Sequence, residues 1–435
     1  MRAETTFLTV FTITAIVGGT LARGVEDGDS QPAAPGFGGP KSIEAQIQRD
    51  SEDVEPFFRI PIRVLKPWYD WKKELREKYG ISFTLNYQAV YMGASAGIKS
   101  VAEDGTVTEG ETEAGSGIVD FNFGWTVIDS GSGNEGQIFF KLVDRHGYTD
   151  VTPHFLGFDT GSLLMPATGF REYTIRFHEL LWQQSLLDRK AGIALGKIDP
   201  ANYFNYNPLM IPWTDSFSLG FISSPTINLP DPAWGTALNF QPHEHVYVGA
   251  VISDPRGDVY QDNDPLYGGE DIWDGKLFTS IELGIVPSFG DRFNRKASLM
   301  AWHADEFDDN KGDGPVSPEG QGVVATAYWT FQDRYVPVLL AGVSNGKGAN
   351  ALAEKHLAAM LGIRFKSHDI WSFGLNWIEP PDGALRDQYT FETYYRFQMT
   401  EHLAFTPFFQ AVYHPSLNEA EDWLNYGGLR ARLSL

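Results

Sequence analysis

The chain has 435 residues, a formal net charge of -22, 45 glycines, 14% aromatic residues and no cysteine. An acidic balance of this size repels phosphate backbones and excludes nucleic acid as a partner. The missing cysteine excludes a disulfide scaffold, thiolate chemistry and cysteine-built metal sites, while the glycine and aromatic content points to strands and turns.

In chain order, the first feature is a targeting segment. Thr5 to Val17 is mostly apolar, follows Arg2 and leads into Thr20-Leu-Ala22, so residues 1–22 read as a secretory signal cleaved after Ala22. The run is too short to cross a ~30 Å hydrocarbon layer. Residues 23–66 are rich in Gly, Pro, Gln and acids without sustained periodicity, and are expected to form a disordered periplasmic tether. A short helix is predicted over 67–80: Pro67 suits a first helical position, Trp68, Trp71, Leu75 and Tyr79 share one face, and Gly80 suits a C-cap.

From residue 81 to 435 the pattern changes to alternation. Apolar or alternating runs start near Ile81, Gly117, Gly136, Arg171, Lys190, Gly235, His245, Lys276, Arg295, Gly320, Tyr335, Lys355, Asp369, Asp387, His402 and Tyr426. That makes about sixteen strands, an even number as bacterial barrels have. Their connections alternate in length: short ones such as Leu187 to Arg189, Ser367 to His368 and Thr400 to Glu401 are interleaved with long ones, of which Asp199 to Trp234 is the longest. Short turns on one side and long loops on the other predict an all-β fold, a transmembrane antiparallel barrel with both termini on the short-turn, periplasmic side. Such a barrel encloses an aqueous channel.

Local motifs point to no chemistry. Gly131-Ser-Gly133-Asn-Glu-Gly136 fits a dinucleotide fingerprint but runs into a second strand, where pyrophosphate binding needs a helix N-terminus, so it reads as a hairpin turn. His243-Glu-His245 supplies two imidazoles without a third ligand, and the acidic stretch Asp305 to Asp313 lacks calcium-loop spacing, so both read as solvated and no metal is expected. No nucleophile elbow, zincin helix or phosphate loop is present, so neither a catalytic residue nor a cofactor is expected.

The last three strands carry the sharpest pattern. Tyr389, Phe391, Thr393, Tyr395 and Phe397 fall on one face, and Thr390, Glu392, Tyr394, Arg396 and Gln398 on the other. Lipid-facing aromatics over lumen-facing charge is the arrangement of a membrane barrel. The run from Phe391 to Thr400, Thr406-Pro-Phe-Phe-Gln410 and Gly428-Leu-Arg430 resembles the closing signature of the carbohydrate-selective porins, the OprB family. The likeness extends upstream to Trp71-Lys-Lys-Glu-Leu-Arg-Glu-Lys-Tyr-Gly-Ile and to Gly196-Lys-Ile-Asp199, and departs at the end, where Leu433-Ser-Leu435 replaces a terminal aromatic.

Parity allows Glu392, Gln410 and Arg430 to stand in one row on three adjacent strands, with Arg396 about 13 Å lower and Tyr394 and Phe408 facing the same lumen. Carboxylate, amide and guanidinium beside an aromatic face suit a pyranose. From these residues alone, a sugar site and a generic wet channel are equally supported. The resemblance implies sugar, and adds Lys197 and Asp199, where a strand meets the longest loop. Trp182 is a further candidate platform, although its strand leaves the parity open. The expected function is passive diffusion of monosaccharides or small oligosaccharides across the outer membrane of a Gram-negative-type bacterium, with outer-membrane lipid as the other partner. A general or ion-selective porin is the first alternative, and a secreted all-β carbohydrate-binding protein or glycoside hydrolase the second. The sequence sets neither the sugar nor the oligomeric state, homotrimer or monomer.

Overall fold

The computed structural model describes residues 36–52, 54, 56–58, 65–101, 107–129, 133–257, 266, 269–308, 316–365 and 369–435. The signal at 1–22, the start of the tether, the turn residues 130–132 and 366–368, and most of the acidic stretch after Asp308 lie outside them.

Among the described residues sixteen antiparallel strands close into one barrel. They are β1 (Ile81–Ala94), β2 (Glu113–Ile128), β3 (Gly136–Gly147), β4 (Tyr173–Leu186), β5 (Ala191–Ile198), β6 (Ala233–His243), β7 (Val246–Ser253) and β8 (Phe278–Ile285). The second half is β9 (Arg295–Ala304), β10 (Gly320–Trp329), β11 (Tyr335–Ser344), β12 (Lys355–Arg364), β13 (Ile370–Glu379), β14 (Gln388–Gln398), β15 (Leu403–Tyr413) and β16 (Trp423–Ser434). Each strand pairs with its sequence neighbour, and β16 closes on β1 from Asn86↔Ser434 to Ala94↔Tyr426. Every expected run corresponds to one of these strands.

Alternation sorts the two faces. On β14, Gln388, Thr390, Glu392 and Tyr394 are buried inward while Tyr389 stays exposed. The outer surface carries Leu85, Leu195, Ile281, Leu283, Leu339, Leu375 and Leu429, all exposed and aliphatic. A water-soluble sandwich would hide such residues; a closed ladder with an apolar exterior is the β solution to a solvent without hydrogen bonds. No helix among the described residues is long and apolar enough to cross a membrane.

The helix before the barrel, α2 (Lys66–Tyr79), has Pro67 in its first turn and ends at Gly80, whose φ of 67° is the left-handed C-cap geometry that glycine adopts without strain. Its Trp68 and Trp71 rings lie 5.5 and 5.6 Å from Phe83 on β1, so it rests at the short-turn end of the barrel.

One expectation is overturned. Residues 36–52 are not a disordered tether: they fold inside the barrel mouth around a short helix, α1 (Ile43–Arg49), capped by Ser42, with Phe37, Ile43, Ala45 and Ile47 buried. The polar, glycine-rich composition that argued for disorder suits a segment whose surroundings are a polar lumen, where most of its partners are hydrogen-bonding groups of the wall.

Candidate functional site in the barrel lumen

Two long loops fold inward instead of standing above the barrel. Residues 148–172, between β3 and β4, include a short helical turn at Leu156–Thr160; residues 199–232, between β5 and β6, include another at Leu219–Ile222. Leu156, Phe170, Leu209, Phe217 and Phe221 are fully buried. The second loop reaches the far wall, where the carbonyl of Gly220 accepts from Asn376 on β13 at 3.3 Å. Since β5 and β13 stand on opposite sides of a sixteen-stranded ring, the loop spans the lumen.

The residues expected to bind sugar hold this strap. The Glu392 carboxylate accepts the backbone N–H of Phe217 at 3.1 Å, that of Ser218 at 2.8 Å and the Gln410 amide at 2.8 Å. Gln410 also donates to the Pro166 carbonyl of the first loop at 2.8 Å. Phe217 stacks on Phe408 with ring centroids 3.9 Å apart, meets Tyr394 edge-on at 6.1 Å, and lies 4.1 Å beneath the Arg430 guanidinium. Arg430 donates to the carbonyls of Pro212 and Asp215 at 2.6 and 3.1 Å, and Arg396 to the Asp215 carboxylate at 2.9 Å. Glu392, Tyr394, Phe408, Gln410 and Arg430 therefore converge on one point, but the ring held between them is the chain's own Phe217. Strand parity shows which way a side chain points and is silent on what occupies the lumen.

The register also differs from the expected row. Glu392 pairs with Gln410, but Gln410 pairs with Tyr426, and Arg430 pairs with Thr406, four residues nearer the short-turn end. Arg430 is therefore level with Arg396 rather than Glu392, and the two arginines grip Asp215 together. Trp182 points away from the lumen: it pairs with Ile138 and Leu195 on the outer face. A register shift beside Glu179 moves the inward parity of β4 from Arg176 and His178 to Glu179, Leu181 and Gln183. Lys197 is fully buried at the end of β5. Asp199 caps the turn at Pro200–Asn202 by accepting from Ala201 N–H at 3.1 Å and pairs with Lys41 at 2.7 Å. Burial alone would raise the Asp199 carboxyl, but Lys41 and His178 outweigh it and hold the group well below the usual carboxylate range.

Sequence reasoning missed a cationic wall on the other side of the straps. Lys141 and Arg145 alternate with Val143 on the inner face of β3. Around Tyr173 at the start of β4 stand the guanidinium carbons of Arg176, Arg145 and Arg171, at 4.3, 4.7 and 5.6 Å from the ring centroid. Lys141 lies 4.3 Å over Trp213 of the second loop. Arg171 is paired bidentately with Asp231 at 2.6 and 3.0 Å. Arg145 has no carboxylate within ion-pair distance among the described residues, and its Nε and the Tyr173 hydroxyl are buried without a protein hydrogen-bond partner. Lys141, Arg145, Arg171 and Arg176 are all buried, and Lys141 lies against the second strap. The signal was the Lys141-x-Val143-x-Arg145 alternation, legible at the same period as the C-terminal strands.

The paired imidazoles His243 and His245, with ring centroids 5.4 Å apart, sit on an exposed short turn, and no group of three or more possible metal ligands occurs among the described residues.

No family model and no curated protein matches the chain. Solved structures do. Pseudomonas putida OprB at high pH is similar over 85% of this chain and 97% of its own, with 16% identity and a TM-score of 0.65. Its low-pH structure follows at 13% identity and 0.49, and a Rh. blastica porin mutant at 12% and 0.46, the latter covering 82% of this chain and all of that one. At 16% identity the likeness to P. putida OprB shows a common fold, the sixteen-stranded barrel that the strand ladder here establishes independently.

Proposed function

We propose that this chain is an outer-membrane porin through which small carbohydrates diffuse passively, with the short turns facing the periplasm. The observation that carries the reading is the narrowed lumen: two straps fold into a closed barrel and pack between an inner wall that carries Lys141, Arg145, Arg171 and Arg176 and one that carries Glu392, Gln410 and Arg430. Stacked rings and planar donors replace part of a sugar's hydration while binding weakly enough to release it. The sequence resemblance to carbohydrate-selective porins and the fold shared with P. putida OprB support the same assignment. The wall also favours a second reading, an anion-selective general porin, because Lys141, Arg145, Arg171 and Arg176 gather on one side.

Single-channel current in a planar bilayer separates the two. With sugar titrated into the bath, wild-type current falls in steps, and Arg145→Ala weakens the block about tenfold if the lost contact is worth ~1.4 kcal/mol net. Sugar that never modulates the current, together with a reversal potential favouring chloride, replaces the carbohydrate reading with the anion one.

A further inference from the structure

The channel reading gives residues 36–52 no role, yet they lie across the path. The segment starts beneath the turn between β8 and β9, where Arg292 donates to the carbonyls of Gly36 and Gly38, each at 3.0 Å. It ends at the opposite wall, where Asp50 accepts from Arg432 on β16 at 2.7 Å and from Asn86 on β1 at 3.1 Å. In the ring order β8 and β9 stand opposite β16 and β1, so the segment crosses the full width of the short-turn mouth. Midway, Lys41 pairs with Asp199, Glu44 accepts from Gln183 on β4 at 3.1 Å, and Gln46 accepts from the Trp213 indole at 3.2 Å. It therefore lies directly under the second strap, at right angles to it in the order of strands.

The attachment differs in kind from that of the wall. Among the described residues no part of 36–52 joins the barrel's strand ladder; polar contacts hold the two ends and the middle, and Phe37, Ile43 and Ile47 pack in one apolar cluster with Phe139, Leu181 and Ala194 of the wall. One flank is packed only in part: beside the contacts of Phe37 with Gly192 and of Glu44 with Gln183, a cavity of about 240 Å³ remains against β3–β6, lined by Phe37, Glu44, Gln48, Gln137, Arg189 and Asn239. A body held by discrete contacts, beside an open space and tethered to the barrel through α2, can undock and return at high effective concentration.

We propose that residues 36–52 are a plug built into the chain, which closes the periplasmic mouth and leaves it for solute to pass. The proposal rests on the channel reading and not on sugar, so it is tested by ion flow in potassium chloride alone. Deleting residues 36–52 from the full chain raises single-channel conductance at least twofold and abolishes long closures; unchanged conductance from a barrel that still migrates as folded overturns it. A second variant decides the matter where the deletion yields no barrel. A Cβ built on Gly192 lies 3.1 Å from Phe37 Cγ, the position of a cysteine sulfur, and the chain has no other thiol. In Phe37→Cys with Gly192→Cys, oxidation removes the open bursts and reductant restores them. Identical traces in the two redox states overturn the proposal. A channel opened by the deletion but indifferent to sugar keeps the plug and discards the carbohydrate reading.

Discussion

Phe217 and His154 show how single side chains set the lumen. Phe217 is fully buried in a box of Glu392, Tyr394, Phe408 and Arg430, and truncating a ring so placed costs roughly 3–5 kcal/mol. Because the box lies between a loop and the wall, Phe217→Ala is expected to release the strap rather than unfold the barrel: conductance rises while heat-modifiable migration stays. His154 accepts from Gly169 N–H at 3.1 Å inside the first loop. Burial, then the charges of Arg171 and Arg145, lower its pKa well below the ordinary 6.5. A folded state that refuses the proton is fully stabilised above the unfolded pKa, and that stabilisation is lost as pH falls through it. Hydrogen exchange of residues 148–172, corrected for intrinsic rate, should therefore accelerate as pH drops below about 6.5, and His154→Asn should flatten the dependence. Equal slopes for both proteins would remove His154 as the cause.

At the level of elements, bulges and glycines decide which face a residue reaches. Gly196 has a φ of 137°, and a Cβ there would meet the Leu180 carbonyl at 2.3 Å. The distortion turns both Lys197 and Ile198 inward, aiming the chain at the lumen just before Asp199 begins the longest loop. Gly196→Ala combines a conformation that L side chains rarely adopt with a backbone clash, and is expected to destabilise the β4–β5 pairing by more than ~1 kcal/mol. The measurement is the denaturant midpoint of refolding into detergent micelles, and a wild-type midpoint refutes the argument. The shift on β4 beside Glu179 is of the same kind: without it Trp182 would face the lumen, and with it the ring faces outward beside Leu195.

For the whole molecule, the closed ladder and its exterior make the testable claim. Detergent-solubilised protein should migrate differently in SDS before and after boiling, because a strand ladder without edges resists the detergent until heated. Ile281, 55% exposed near the middle of β8 and paired with Ala250 and Ala301, faces lipid. Ile281→Arg should cost roughly 2–4 kcal/mol of folding free energy in bilayers, and Ser280→Arg, on the lumen side, is the contrasting variant. Equal effects at the two neighbours would mean that the exterior is not lipid.

The amino-acid sequence by itself determined the barrel. A period of two is a local property, fixed by the geometry of each strand, and alternating connection lengths follow from antiparallel pairing of neighbours, so sixteen strands and their inward and outward faces could be read from Ile81 to Leu435. It also determined that Glu392, Tyr394, Phe408, Gln410 and Arg430 share one wall. What lies opposite them was decided only by the tertiary structure. Phe217 is 175 residues from Glu392, and no local pattern says that a long loop turns inward rather than outward. Register, too, came from the folded ring: parity fixes a face to within one residue but leaves Arg430 free to be level with Arg396. The plug is the clearest case. A stretch of Gly, Pro, Gln and acidic residues has no core of its own, so composition argues for disorder; it becomes ordered because Arg292, Asn86, Arg432 and Trp213, from 36 to 382 residues away, provide hydrogen-bond partners that only a closed barrel brings together.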